Sequence, residues 1–329
     1  MKANKRVTIV EIAEACGVSK TTVGYALDEK NASKVSPEKV SLIWSAVNRL
    51  GYVPNRAAKA LRTQKTHTIG VMLPEPGNDF YGRLAISLQR NLAKMGYTAF
   101  FVFWDHLDDA SSVDKALEML LSKGVDGLIA CELSGVRFEK SPVPVVFWQS
   151  APTGFDLVTN YPCVKEIYRE IVGFLKIKGC RRFAVLAPFL DHGRPPLILK
   201  ALEEVGMPPA PGHFFGGITS HETARKAARE ILLMNQRPDV VFGNNDRIAI
   251  SAMSEMLNAG VKVPEEMRFV GFDGTDEAEY SSPPLTTFHV PVEEATEKLL
   301  RLLFRRMEDK DAEPLTLNVR PTLVMRKSA

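Results

Sequence analysis

The chain has 329 residues, 45% of them hydrophobic and 25% charged, with a formal net charge of +3. That is ordinary globular usage and too long for one core, so two or three domains are expected. No apolar stretch reaches the roughly 18 residues that span a bilayer, and the basic start Met1-Lys2-Ala3-Asn4-Lys5-Arg6 has no apolar h-region behind it. Neither a membrane span nor a secretory leader is expected, and the cytoplasm is the expected location.

Charge is unevenly placed. Residues 1–68 hold twelve Lys or Arg against five Asp or Glu, about +7, which leaves about −4 for the rest. Because neutralised phosphates release counterions and supply sequence-independent affinity for a duplex, a basic head on a mildly acidic body reads as a DNA-binding module on a sensor or assembly domain. A solvated basic tail would lack core-forming spacing, and this head has it. Thr8 followed by Glu11 is a capping-box pattern, with Ile12, Ala13 and Cys16 on one helical face. Gly17 permits the positive φ of a tight turn that Val18 plugs. Ser19 is an N-cap for a second helix whose Val23, Ala26 and Leu27 point inward, leaving Lys20, Thr21, Thr22 and Tyr25 outward. Ser36-Pro37 opens a third helix, with Val40, Ile43, Val47 and Leu50 at helical spacing, so three helices close one small core.

Residues 7–23, V-T-I-x-E-I-A-E-x-x-G-V-S-K-T-T-V, then V-S-P-E at 35–38 and L-G-Y-V-P-N-R-A-A-K-A-L-R at 50–62, resemble the lactose/galactose repressor (LacI/GalR) family. The resemblance covers nearly the whole chain. Ile69-Gly70-Val71, Gly77-Asn78-Asp79-Phe80-Tyr81, Val125-Asp126-Gly127, Gly243-Asn244-Asn245-Asp246, Gly271-Phe272-Asp273 and Pro284-Leu285-Thr286-Thr287 follow in the family's order. A helix-turn-helix match alone is common to unrelated proteins; a head, a hinge and six ordered body motifs are not.

Beyond a polar linker at 62–68, apolar runs at 69–73, 99–104, 127–130, 145–148, 183–187, 240–243 and 269–272 alternate with helical segments, which argues for parallel sheets. The fold class expected is α/β: a three-helix helix-turn-helix head with a hinge helix, then two doubly wound Rossmann-like lobes. The resemblance, rather than the alternation, implies the two lobes, their likeness to periplasmic binding proteins, and a ligand cleft facing the strand ends. The expected domains are 1–54 for DNA binding, 55–68 for hinge helix and linker, and 69–329 for effector binding and dimerisation.

The hinge at 56–61 is shorter than an isolated helix needs for stability in water. In similar repressors it folds when two copies meet in the minor groove and a leucine, here Leu61, wedges between base steps; packing of Leu61 against the body is the alternative. The resemblance places DNA contacts at Thr8, Ser19, Lys20, Thr21, Thr22, Tyr25, Tyr52, Asn55, Arg56, Ala58 and Leu61. Lys20 can donate to guanine O6 or N7 and Thr21 can meet a base edge or methyl. The family's usual Ser-Arg in the recognition helix is here Gly24-Tyr25, and its usual Asn is Asp28, so the operator preference should be its own. Gly24 reads as close backbone approach to DNA or as a tolerated weak spot, and Tyr25 as a DNA contact or a half-buried core residue.

For the effector, the resemblance points to Asn78, Phe80, Tyr81, Gln149, Arg194, Asn245 and Asp273. Arg194, Asn245 and Asp273 keep the groups that hold sugar hydroxyls, while Gln149 replaces an aspartate, Cys163-Val164 an Asp-Asn pair, and Val290 a glutamine. A carbohydrate-type ligand, a less hydroxylated one, or no small effector at all therefore stay open, as do structural roles for Asp246 and Asp273.

Catalysis has little to rest on. No dinucleotide fingerprint, P-loop, zinc-type histidine pair or Gly-x-Ser-x-Gly elbow is present, and the six histidines are isolated in sequence. Cys16, Cys131, Cys163 and Cys180 lack metal-ligand spacing and are expected to be buried, reduced and structural, so no metal or other cofactor is implied. Nothing after Leu323-Val324-Met325 offers a heptad for tetramers. The reading is a non-enzymatic, effector-responsive repressor that binds a pseudo-palindromic duplex operator as a homodimer. The alternatives are a DNA-binding regulator without an effector, or a binding module or enzyme on the Rossmann-like lobes.

Overall fold

The computed structural model describes residues 7–28, 31–53, 65–74, 79–104, 110–131, 138–208, 210 and 212–329. The chain divides into two compact units, Met1–Thr66 and His67–Ala329. Of the hinge and linker expected at 55–68, residues 55–64 lie outside the described residues.

In the first unit, α1 (Ile9–Cys16), α2 (Lys20–Ala26) and α3 (Pro37–Leu50) surround a core of Ile12, Ala13, Val23, Ala26, Ile43, Ala46 and Val47. Local chemistry sets each end. Thr8 and Glu11 close a capping box at the start of α1. At its end Gly17 sits at φ 63, with Val18 N–H bonded to Ala13 O and Gly17 N–H to Glu14 O, a Schellman arrangement that satisfies the last carbonyls. Gly51 at φ 67 ends α3 in a similar way, turning Tyr52 N–H back to Val47 O. The third-helix expectation is corrected at its C-terminal end: Ala46 belongs to the core, whereas Leu50 is 37% exposed. Seven residues from Ile43 drift by only about 20°, so Leu50 keeps the azimuth of the buried stripe, but it is the last residue of α3, beyond the end of the core.

The second unit holds two parallel sheets. One contains β1 (Thr68–Pro74), β2 (Thr98–Trp104), β3 (Gly127–Cys131), β4 (Val145–Trp148), β5 (Asp156–Thr159) and β11 (Thr316–Asn318), ordered β11-β5-β4-β3-β1-β2. The other contains β6 (Phe183–Leu186), β7 (Phe214–Phe215), β8 (Val240–Gly243) and β9 (Arg268–Val270), ordered β7-β6-β8-β9. An antiparallel pair, β10 (Thr287–His289) with β12 (Thr322–Val324), adjoins β9 through bridges at Val270 and Asp273. All seven expected apolar runs carry strands, and β5, β7, β10, β11 and β12 are additional to them.

Connecting helices are α4 (Asp79–Lys94), α5 (Ala110–Ser122), α6 (Tyr161–Ile177), α7 (Pro195–Glu204), α8 (His221–Leu232), α9 (Asp246–Asn258), α10 (Asp276–Tyr280) and α11 (Val292–Glu308). One core runs from the first sheet through α4, α6 and α11 to the second, joining Leu73, Phe80 and Trp148 with Tyr168, Phe242, Phe272 and Phe288. Because α6 leaves the first sheet for the second while α11 and β11 return, the lobes share a core and several crossovers. The cysteine expectation is corrected in part: all four are free thiols, Cys131 and Cys180 buried, Cys16 and Cys163 only partly. Among the described residues no helix is long and apolar enough to cross a membrane.

Candidate functional site

On the head, the backbone of Ser19 is extended and its hydroxyl accepts from Thr22 N–H at 3.1 Å, which starts α2 with Lys20 in its first turn. Val23 and Ala26 are buried, so Lys20, Thr21 and Tyr25 face away from the core and are exposed. Thr22 departs from the outward expectation: it is half-buried, and its hydroxyl lies 2.9 Å from that of Ser19. Tyr25 is 39% exposed, with Lys34 Nζ 5.2 Å from its ring centre. Tyr52 packs partly buried against the head core. A Cβ on Gly24 would meet nothing within 4 Å, so packing inside the head does not require the glycine. Asn55, Arg56, Ala58 and Leu61 lie outside the described residues.

In the body, strand ends and helix starts place the ligand candidates. Arg194, just before α7, donates from Nη2 to Asn244 O at 2.6 Å, stacks 4.1 Å above the Phe272 ring, and holds Nη1 3.8 Å from Asp273 Oδ1. These contacts bring Arg194, Asp273 and the 244–245 turn together. Asp273 is buried at φ 109, a region that L residues rarely occupy and that clusters at functional positions. Asn245 is the N-cap of α9, its Oδ1 accepting from Ile248 N–H at 2.9 Å. The cap is therefore Asn245, and Asp246 does different work: it is fully buried, accepting from Thr275 N–H at 2.7 Å and from the Thr287 hydroxyl. Burial first, and Asp273 second, push the Asp246 carboxyl up to about 7. Beneath Arg194 a crevice of about 10 Å³, lined by Tyr168, Val185, Ile198 and Phe242 among others, has room for little more than one water. Burial holds the Tyr168 phenol well above its ordinary range, with Arg194 pulling the other way.

The first-lobe candidates are differently placed. Phe80 and Tyr81 are buried in the shared core, Phe80 stacked 5.9 Å from Trp148. Gln149 is buried at φ 74, and its Oε1 accepts from Asn160 N–H at 3.3 Å and from the Thr159 hydroxyl at 3.4 Å. Its amide oxygen thus serves the first lobe's own strand end. Asn78 lies outside the described residues. Val290 is buried in the shared core.

Sequence reasoning missed Asn160 and Trp148. Both are fully buried, yet neither polar atom of the Asn160 carboxamide nor Trp148 Nε1 has a hydrogen-bond partner. An unmet buried polar group costs about 1–3 kcal/mol, which marks such atoms as candidates for a ligand or an ordered water. The available signal was position: both stand at the carboxyl ends of parallel strands, where ligands of such sheets bind. Among the histidines, His221 places Nδ1 2.7 Å from the hydroxyl of Ser251. Ser251 donates its only hydroxyl proton to Arg247 O at 2.6 Å, so it is a helix-bound serine and not a poised nucleophile. Among the described residues no group of His, Cys, Asp or Glu could hold a metal ion.

Two family models match the chain: "Bacterial regulatory proteins, lacI family" over residues 8–55 and "Periplasmic binding protein-like domain" over residues 172–329. The HTH-type transcriptional repressor PurR of Aliivibrio salmonicida is 28% identical over 343 residues, spanning 98% of both chains. That of Yersinia pestis is 29% identical over 336 residues, spanning 98% of this chain and 96% of the relative. Among solved structures, the lac repressor dimer bound to operator and the anti-inducer ONPF matches with TM-score 0.84 and 24% identity over 98% of this chain and 99% of that one. A LacI regulator from Lactobacillus casei with bound Tris matches with TM-score 0.71 and 25% identity over 81% of this chain and 98% of that one.

Proposed function

The chain belongs to the lacI family of bacterial regulatory proteins, and from that premise we propose that it is a cytoplasmic, dimeric, sequence-specific DNA-binding repressor governed by a small molecule. The observation that carries the DNA reading is α2 itself: a helix capped by Ser19, anchored by Val23 and Ala26, with Lys20, Thr21 and Tyr25 left on its open side. Lys20 and Thr21 read base edges, and Thr8, Ser19, Thr22, Tyr25 and Tyr52 set the head on the backbone. Residues 55–68 form the hinge between a head at 1–54 and a body at 69–329. Asn55, Arg56, Ala58 and Leu61 enter the minor groove, with Leu61 as the wedge. The second copy meets the open edge of the six-stranded sheet, where β2 exposes Phe100 and Phe103. No catalytic role is assigned to any residue.

The effector reading rests on Asn160 and Trp148, whose buried polar atoms lack partners, together with the Arg194–Asp273 pair. Gln149, Phe80, Tyr81, Asn245 and Asn78 belong to the same proposed site, and the ligand class, carbohydrate or not, is open. A regulator without a small effector is the second reading. It is favoured by the continuous core between the lobes and by the crevice of about 10 Å³ beneath Arg194.

Salt-titrated binding tests the DNA reading. A specific duplex should bind with steep salt dependence and at least about 10³-fold more tightly than a random one. Equal affinity for all duplexes would refute it. A thermal-shift screen of sugars, sugar acids, sugar phosphates and nucleosides separates the effector readings, since a ligand at one hundred times its Kd should add about 2.7 kcal/mol of stability. Common neutral hexoses are expected to bind weakly.

A further inference from the structure

Arg83 lies in the second turn of α4, and its guanidinium leaves its own lobe. Nη2 donates to the carbonyl of Asp273 in the second lobe at 3.0 Å, while Nε stands 3.2 Å from Asp79 Oδ2, one turn back on α4. The guanidinium thus makes one directed hydrogen bond across the lobes and an ion pair within its own helix, in which Nε itself forms no hydrogen bond; an ammonium reproduces this directed fork only in part.

Asp273 faces two arginines. Its carboxylate lies toward Arg194 at 3.8 Å and its carbonyl accepts Arg83. The same carbonyl accepts Val290 N–H at 3.3 Å, and Asp273 N–H donates to Phe288 O at 2.9 Å. With φ at 109, these contacts fix a backbone that an L residue rarely adopts. A movement of the Asp273 backbone therefore moves the carbonyl that Arg83 of α4 holds.

The charges explain why a cation is needed there. Asp79 faces the short acidic helix α10 across the lobes: burial and then Glu277 lift its carboxyl above the ordinary range, Arg83 pulls it down, and Asp276 lifts it further. Without Arg83, the half-buried Asp79 would meet the exposed carboxylates of Glu277 and Asp276 with no cation between them.

We infer that Arg83 is a positioning residue, a latch that holds the two lobes together at the carboxyl ends of their strands and couples Asp273 to the first lobe. Its regulatory use rests on the ligand reading above; the latch itself does not. A ligand that engages Arg194 and Asp273 draws on the contact that Arg83 makes, so occupancy and lobe closure are linked.

The test is hydrogen–deuterium exchange on the full-length protein without DNA or ligand, following residues 79–84 and 273–277. Arg83→Ala should speed exchange in both segments by about tenfold, the loss expected for a hydrogen bond from a charged group. Arg83→Lys should restore part of the protection. The increase in Arg83→Ala should shrink near 1 M salt, where a Debye length of about 3 Å screens Asp79 from Glu277. Should Arg83→Ala unfold the body, Glu277→Gln in the native background gives a second readout, since removing the repulsion should slow exchange in both segments. Faster exchange in 79–84 alone, a salt-independent increase, or no response to Glu277→Gln would overturn the latch. Operator binding is not part of this readout, so failure here and failure of the DNA reading are distinguishable.

Discussion

At the scale of single residues, the strongest constraints come from atoms that have nowhere else to go. A Cβ on Gly271 would stand 2.2 Å from Asp246 Oδ1 and 2.7 Å from Leu285 Cδ2. Gly271→Ala should therefore destabilise the body by about 1–3 kcal/mol, as overpacking does, read as a lowered Tm. Gly24 is the opposite case, with open space around it, so Gly24→Ala should stabilise α2 by about 1 kcal/mol. Close approach of its backbone to DNA predicts that the more stable head binds operator less tightly, and unchanged affinity would make Gly24 a tolerated weak spot. Asp246 gives a pH prediction. Its carboxyl is raised from 3.8 to about 7 on folding, so both states are protonated below 3.8, and between the two values only the unfolded chain releases the proton. The group's contribution is present at low pH and is lost as pH rises toward 7; Asp246→Asn should flatten that part of the stability profile, and an unaltered slope would contradict the assignment.

At the scale of elements, helix ends were legible because capping is local. Thr8 with Glu11, Ser19 and Gly17 each announced a boundary that the structure places there. Ser19→Ala should cost about 1 kcal/mol of head stability by freeing the Thr22 N–H, measured by denaturant unfolding of the full chain. Seven strands were legible because they read as continuous apolar runs, which suits strands covered on both faces; β2 at the sheet edge reads so too, although it exposes Phe100 and Phe103. The strands at 156–159, 214–215, 287–289, 316–318 and 322–324 were not: 214–215 is only two residues long, and the others are three or four residues long and polar in part. Their pairing is set by distant segments, as β11 is by β5. Length and periodicity carry no such information.

At the scale of the whole molecule, the candidate site was legible unevenly. The family resemblance led to Arg194, Asn245 and Asp273, which the fold brings together, but not to Asn160 or Trp148, whose significance lies in hydrogen bonds they fail to make. Nor could spacing reveal Arg83, since its partner is 190 residues away. Function on DNA depends on two heads acting as one. The most direct measurement is selection from a random duplex library by the full-length protein, repeated with Lys20→Ala. A pseudo-palindromic consensus of two half-sites is expected, with Lys20→Ala changing base preference at symmetry-related positions by roughly 1–3 kcal/mol per lost contact. A library that returns no consensus, or a single asymmetric half-site indifferent to Lys20, would contradict it.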